Sequence, residues 1–411
     1  MSQISLLQPK PPSTVRLRLG LCQDVLEGYP ANHFGACVTD PPYGLSAPPD
    51  IRVVLRAWLD GETYEHGSKG FMAREWDSFV PGPEVWREVF RVMKPGAFLV
   101  CFAGQRTVDL MGISLRLAGF ELRDLGAWLY WSGFPKSLDL SKSLDKDNGT
   151  PGTPGDYVPN GKNDVYGEGM GGGVTTATYE PASPEARQWS GWGTALKPAL
   201  EPFLLARKPL EGTYIQNLRR WGVGGLNIDA CRYAYGDKAW PGPGDRPPAV
   251  PQPVFNGERP GVSGGHEAGV GRNGDRFDVP DLGRWPANVY ATPKASRSER
   301  EAGCERLPAK TGAEACDREE GSAGLTPRAG AGRTAEEVRN SHPTVKPLAL
   351  MRWLVRLVAP PGEIVLDPFL GSGTTLCACL RERRDGVGIE ADPEHLAICA
   401  ARIDYHRGIR S

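Results

Sequence analysis

The chain has 411 residues, a formal net charge of −1 and 40 % hydrophobic residues. That length accommodates two or three domains and one sizeable α/β core, and the near-zero charge excludes global steering onto nucleic acid, so any such contact rests on local basic patches. The 52 Gly and 38 Pro are above average usage and predict that part of the chain is irregular loop.

Val15-Arg16-Leu17-Arg18-Leu19 alternates polar and apolar residues, the period of a strand. Asp24 to Leu26 opens a short helix, and Cys37–Thr39 is the next strand. It runs into Asp40-Pro41-Pro42-Tyr43. Two successive prolines fix φ near −65° and hold the residues before them extended. The Asp40 carboxylate and the Pro41 carbonyl are then two acceptors aimed in a fixed direction, with the Tyr43 ring alongside. Such a set suits an exocyclic amine on a flat ring. The amine lone pair is delocalised into its ring, and acceptors on both N–H bonds would localise it. Stacking on an aromatic is worth about 1–3 kcal/mol, comparable to the few kcal/mol needed to draw a base from a duplex. The same residues also fit a plain strand end with a proline turn.

Pro83 to Met93 reads as a helix, with Pro83 in its first turn and Val85, Trp86, Val89, Phe90 and Val92 as an apolar stripe; Lys94-Pro95-Gly96 ends it. Phe98–Phe102 is a continuous apolar run, as in a buried parallel strand. Thr107 to Ala118 is a helix stopped by Gly119, and Phe120 to Trp131 one more strand. This alternation predicts an α/β fold, a doubly wound, mostly parallel sheet with helices on both faces. Periodicity fades from Ser137 to about Trp192, and Gly169–Gly173 with many Pro and Asn predict an extended Gly/Pro-rich insertion over 137–195. Glu201–Arg207 is a strand within a core segment 196–209, and Tyr214–Trp221 is a helix. Pro241 to about Gly283 is Gly/Pro-rich and Ala295–Asn340 is polar and charged, so 210–340 carries the least structured loops, where binding residues often sit. Leu348–Val358 is an amphipathic helix with Arg352 and Arg356 on one side. Glu363–Leu366 is a strand, Asp367–Thr375 a loop entering a helix, Gly386–Ile389 a strand ending at Glu390, and Pro393–Arg402 the last helix.

Strand, glycine-rich turn, helix, strand, acidic residue is the layout of a nucleoside-binding unit. Gly371 and Gly373 let a ligand approach the backbone, and Glu390, less than about 20 residues on, can accept from two ribose hydroxyls. The glycine pattern is neither G-x-G-x-x-G nor G-x-x-x-x-G-K-[ST], which weighs against a dinucleotide or a P-loop. A ligand with ribose but no phosphate fits better. S-adenosylmethionine (SAM) is one, and Asp367 can meet its ammonium.

Two stretches together resemble the amino-directed DNA methyltransferases: Thr39-Asp40-Pro41-Pro42-Tyr43-Gly44 is similar to their catalytic motif. Asp367-Pro368-Phe369-Leu370-Gly371-Ser372-Gly373-Thr374-Thr375, preceded by His342-Pro343-Thr344-Val345-Lys346-Pro347, is similar to their cofactor half. The catalytic motif comes first, the order of the β-class, a circular permutation of the Rossmann-like methyltransferase fold. Gly70–Asp77, Gly133–Ser137, Leu196–Pro202 and Gly283–Asn288 resemble segments of phage and prophage members. The resemblance implies a catalytic half over 1–136, a SAM-binding half over 341–411 and a target-recognition region within 210–340. It implies double-stranded DNA as partner and SAM as cofactor. Asp40 and Pro41 would hold the amine, with Pro42 shaping the motif and Tyr43 stacked on the base. Phe369 would flank the cofactor adenine and Glu390 bind its ribose. Asp367, Gly371, Ser372, Gly373 and Thr374 would form the loop around it, and His342, Thr344 and Lys346 would line its methionine end. One departure stands out: members usually carry Gly-Asp where this chain has Gly20-Leu21, which leaves one expected cofactor contact without its Asp, and Asp24, one helical turn further, is the alternative carboxylate.

Methylation at cytosine C5 needs a Cys nucleophile, usually after Pro, and the chain has no Pro-Cys dipeptide. A zinc deaminase needs His-x-Glu and Pro-Cys-x-x-Cys, and both are missing. No metal site is expected. In the family, Asp at the first motif position leans toward adenine N6. Cytosine N4, a protein amide, and a DNA-binding module without catalysis are the alternatives. Candidate DNA contacts are Lys294, Arg297 and Arg300, then Arg219 and Arg220, then the Arg352/Arg356 face. The nine Cys lie in apolar contexts and read as buried reduced thiols. With no signal-peptide-like or membrane-length apolar run, the expectation is a soluble cytoplasmic protein, monomeric or dimeric.

Overall fold

The computed structural model describes residues 13–44, 48–67, 78–133, 137–159, 175–234, 236–240, 283–311, 314 and 337–408. Its centre is an eight-stranded sheet in the order β1 (Val15–Leu19), β10 (Asp385–Glu390), β9 (Ile364–Asp367), β2 (Phe34–Thr39), β3 (Met93–Phe102), β7 (Leu200–Arg207), β4 (Glu121–Leu129) and β8 (Val289–Ala291). The first five are parallel, and β7 runs antiparallel to β3. Every residue of β2 is buried, as is β3 from Gly96 on. Such unbroken burial belongs to central strands covered on both faces, and accounts for their continuous apolar reading.

Helices α1 (Cys22–Glu27), α3 (Pro83–Val92) and α4 (Val108–Leu117) pack in series, α1 on α3 and α3 on α4; α9 (Leu348–Val358), α10 (Thr374–Arg381) and α11 (Pro393–Arg407) form a second series. The predicted apolar stripe of α3 is the buried one, with Trp86, Val89 and Val92 inside. β9 leads through α10 to β10 on one side of the sheet, while β2 leads to β3 on the other. The strand order therefore reverses between β9 and β2. In open α/β sheets ligands bind at the carboxyl ends of the strands flanking such a reversal.

Two expectations need correction, and one helix lies where none was expected. Lys94-Pro95-Gly96 does not end the helix as a turn: α3 stops at Val92 and β3 starts at Met93, and Gly96 (φ 81°) sits in a bulge where the β2–β3 register jumps. A positive-φ glycine serves a bulge as well as a turn. α2 (Ile51–Asp60) was not anticipated; Asp50 caps it by accepting from Arg52 N, Gly61 closes it in the left-handed region, and Val54 and Trp58 are buried. Finally, the chain over Leu129–Leu200 forms a compact unit of its own rather than an extended insertion. It holds α5 (Leu140–Asp147), the antiparallel pair β5 (Thr153–Pro159) and β6 (Thr175–Glu180), and α6 (Pro184–Gln188). Its organiser is a buried carboxylate rather than an apolar period: Asp145 accepts from Tyr179 OH and Ala182 N, both at 2.8 Å, and from Ser183 N at 3.0 Å. Burial opposes that charge, but these hydrogen bonds hold it down at about 2.

Gly70–Asp77 lies outside the described residues, as do Gly169–Gly173, positions 134–136 and positions 241–282. Among the described residues the cysteines are buried and unbridged, no helix is long and apolar enough to cross a membrane, and no His/Cys/Asp/Glu cluster could hold a metal.

Candidate active site

β2 and β9 are neighbours, with Cys37 level with Leu366, so the residues that follow them emerge at the same edge of the sheet. The two sequence motifs are thereby brought together. Thr39 Oγ1 donates to Asp367 Oδ1 at 2.7 Å, and Thr375 Oγ1 to the Val38 carbonyl at 3.5 Å.

Asp40 stands at the mouth of this edge with its side chain 18 % exposed. Its Oδ1 accepts from the Tyr43 hydroxyl at 2.7 Å and its Oδ2 from Lys346 Nζ at 2.5 Å. Thr107 Oγ1 donates to the Tyr43 carbonyl at 2.6 Å and ties the proline turn to the start of α4. Pro41 is buried and Pro42 half-buried. Lys346, expected along the methionine end of a cofactor, thus has its ammonium on the motif carboxylate. It also lies 3.3 Å from Glu201 Oε2, 3.1 Å from the Tyr43 hydroxyl, and over the Phe102 and Tyr43 rings at 4.8 and 5.3 Å. Burial alone would lower the Lys346 pKa, but Asp40 and then Glu201 raise it above the ordinary value, so the ammonium stays charged. Burial, reinforced by Asp40 and Glu201, pushes the Tyr43 phenol well up and keeps it neutral.

The glycine loop sits beside this group. Gly371 (φ 57°) and Gly373 (φ 81°) adopt the left-handed conformation, and Gly373 caps α10. A Cβ on Gly371 would come within 2.8 Å of His342 Nε2, so only glycine lets these two segments meet. His342 is buried against His395, ring centroids 4.6 Å apart. Burial first, then His395, lowers its pKa well below the ordinary value, so the ring is neutral, with Nδ1 paired to the Thr344 carbonyl at 2.6 Å. Thr344 itself is exposed. Ser372 and Thr374 are held from beneath by Arg402, fully buried, whose Nη1 donates to Ser372 O (2.5 Å), Ser372 Oγ (3.1 Å) and Thr374 Oγ1 (3.0 Å). Phe369 is half-buried, its ring 5.9 Å from that of Trp86. Glu390 closes the far side: Oε2 accepts from Gly371 N at 2.7 Å and Oε1 from Asp392 N at 2.9 Å. Gly20 N donates to the Glu390 carbonyl at 2.9 Å, which places Leu21, 59 % exposed, next to this end.

Asp367 is 2 % exposed and accepts from Thr39 Oγ1 and from Phe369 N at 3.1 Å. Burial pushes its carboxyl up to about 6, against hydrogen bonds from Thr375, Thr39 and Phe369 that pull the other way.

Sequence reading did not single out Glu201, Arg402, His395 or Trp86 as site residues. Glu201 was legible only as part of Leu196–Pro202, and nothing in the sequence pairs Arg402 with a loop in another element. The basic candidates fare unevenly. Arg352 and Arg356 both bind Glu382, at 2.7 and 2.8 Å, so one carboxylate compensates part of that face's positive charge. Arg220 is paired with Glu211, Arg297 and Arg300 donate to the carbonyls of Glu337 and His342 at 2.9 Å, and Arg219 is exposed.

Residues 272–401 match a family model described as DNA methylase, of the N6/N4 methyltransferase type. The match lies in the C-terminal part of the chain and covers about a third of its length. Over 66 residues this chain is 41 % identical to the Type II methyltransferase M.HpaI of Haemophilus parainfluenzae, a stretch that is 16 % of this chain and 21 % of that protein. Over 64 residues it is 41 % identical to the DNA adenine methyltransferase YhdJ of Escherichia coli (strain K12), 16 % of this chain and 22 % of that protein. These matches span about a fifth of each relative's length. The PvuII DNA methyltransferase (cytosine-N4-specific) aligns with 97 % of this chain and 93 % of its own at 13 % identity and a TM-score of 0.45, too low to carry an argument.

Proposed function

We infer that this protein transfers a methyl group from SAM to the N6 amine of an adenine turned out of duplex DNA. The observation that carries this reading is the placement of Asp40 and the Gly371–Gly373 loop at the adjacent carboxyl ends of β2 and β9, where the strand order reverses.

The residues around the loop fit SAM. Glycines at positive φ leave room at the backbone, Phe369 offers an aromatic face, Glu390 a carboxylate beside the loop, and Asp367 an anion for an ammonium. SAM supplies an electrophilic methyl on a sulfonium. Asp40 and the Pro41 carbonyl would accept the two N–H bonds of the target amine, localise its lone pair and aim it at that methyl; as the N–C bond forms the C–S bond would break, the thioether would leave, and the amine's surplus proton would pass by way of the Asp40 carboxylate to water. Tyr43, neutral and anchored through Asp40, stacks on the base. Charge-assisted hydrogen bonds to Asp40 are worth about 1.5–3 kcal/mol, and holding amine and methyl in attack geometry about 7–11 kcal/mol. Positioning is thus the larger contribution. The motif Asp favours adenine over cytosine N4, and YhdJ, whose name gives adenine, is 41 % identical over 64 residues. In this reading 1–136 is the catalytic half, 341–411 the cofactor half, and 210–340 contains the target-recognition region, acting on double-stranded DNA in the cytoplasm.

A labelled-methyl assay with duplex DNA or protein as acceptor tests this. Wild-type protein is expected to label DNA and not protein. Asp40→Ala should lose the transfer, with SAM binding by calorimetry within about two-fold of wild type. Label appearing in protein alone, or Asp40→Ala labelling DNA at the wild-type rate, contradicts the assignment.

A further inference from the structure

The Lys346 ammonium has two carboxylates in reach, and the site uses only one at full strength. Its side chain is 6 % exposed, with Asp40 Oδ2 at 2.5 Å and Glu201 Oε2 at 3.3 Å; Glu201 is itself 20 % exposed. Both Asp40 oxygens are engaged, one by the Tyr43 hydroxyl and one by this ammonium. A carboxylate whose charge is compensated in this way is a weaker acceptor for an incoming amine, and it regains strength when the ammonium moves away. A buried ammonium left without a partner is strongly disfavoured. Glu201 removes the conflict. It begins the exposed end of β7, fixed where Ala103 N donates to the Pro202 carbonyl at 3.1 Å just beyond the β3–β7 pairing. The Tyr43 hydroxyl lies between the two acids, 2.7 Å from Asp40 Oδ1 and 3.4 Å from Glu201 Oε2. Lys294, 51 % exposed, approaches Glu201 Oε1 at 3.8 Å from the solvent side.

We propose that Glu201 is a positioning residue for methyl transfer: it is the second seat of the Lys346 ammonium, which shifts from Asp40 to Glu201 when the amine docks and returns when the product leaves. The shift is a change of hydrogen-bond partner for one ammonium and transfers no proton. It rests on the amine-methylation reading above and adds to it a residue outside both motifs.

The test is a double-mutant comparison of Glu201→Gln and Lys346→Gln, read as the single-turnover rate of DNA methylation at saturating SAM and DNA, alongside SAM affinity by calorimetry. Glu201→Gln keeps the size of the side chain and removes its charge. It should slow transfer by about ten-fold or more with SAM affinity within about two-fold. Glu201→Asp should recover part of the rate. In the Lys346→Gln background, Glu201→Gln should change the rate by less than about two-fold, because the ammonium it serves is gone. If Glu201→Gln does not fold, Glu201→Asp is compared in the same two backgrounds, with a smaller loss that again vanishes without Lys346. Wild-type rate in Glu201→Gln, an equal loss in both backgrounds, or a loss of SAM affinity overturns the proposal. A wild-type protein that methylates no DNA overturns the parent reading and this one together; an active wild type with uncoupled variants overturns this one alone.

Discussion

Asp367 is buried among hydroxyls and an amide, and its carboxyl is pushed up to about 6 from an ordinary 3.8. A raised acid makes folding less favourable once it ionises. The native state binds the extra proton between these two values, so stability falls as pH rises from about 4 to about 6, by about 3 kcal/mol in all, and is level above. An ammonium docked against Asp367 would favour the ionised form. SAM affinity is therefore expected to increase from about pH 5 to about pH 7, with a proton released on binding. Calorimetry in buffers of different ionisation enthalpy measures that proton, and Asp367→Asn should abolish it. An affinity that is flat across this range would mean that Asp367 does not meet the ammonium. At this scale the sequence was informative where a residue's chemistry is carried by its own neighbours: Asp40 between a strand and two prolines, Glu390 at a strand end after a glycine turn. Lys346 was legible as a motif member, yet its side chain lies on Asp40, 306 positions away. No local pattern encodes a partner chosen by the sheet order.

Among the elements, α1 bears the departure from the family pattern. Leu21 is its N-cap residue, in extended conformation, with no side-chain capping bond and an exposed side chain. An Asp there can accept from the free amides of the first turn, which is worth about 1 kcal/mol, and removing an exposed Leu costs little. Leu21→Asp is expected to raise the thermal midpoint by a few degrees, measured by circular dichroism, and an unchanged or lower midpoint would show that the cap site is not accessible to it. Helix and strand positions were legible where caps and period agree. α7 (Tyr214–Trp221) is defined by a capping box between Thr213 and Gln216, and α9 by a continuous apolar face. The α2 segment follows a proline pair and was overlooked despite Asp50 and Gly61 as its start and stop signals. The 129–200 unit was missed for another reason: its order comes from hydrogen bonds to Asp145, which leave no hydrophobic period. For the Arg352/Arg356 pair the sequence shows a basic helix face but not its partner: Glu382 accepts from both guanidinium groups.

For the whole molecule, the decisive feature is that the chain's two ends supply adjacent strands. β2 brings Asp40-Pro41-Pro42-Tyr43 and β9 the glycine loop, and the Thr39–Asp367 and Asp40–Lys346 bonds join the segments across one edge. The fold class was legible because alternating strands and helices with short links dictate a parallel sheet. The strand order, and with it the meeting of the two motifs, is a property of the packed sheet. The proposal that this edge methylates an exocyclic amine of DNA is open to a direct chemical readout. The most direct measurement is mass spectrometry of nucleosides from the DNA of cells expressing the wild-type protein or Asp40→Ala. N6-methyladenine is expected with the wild type and absent with the variant. No methylated nucleoside above background, or methylation at cytosine C5, would contradict it.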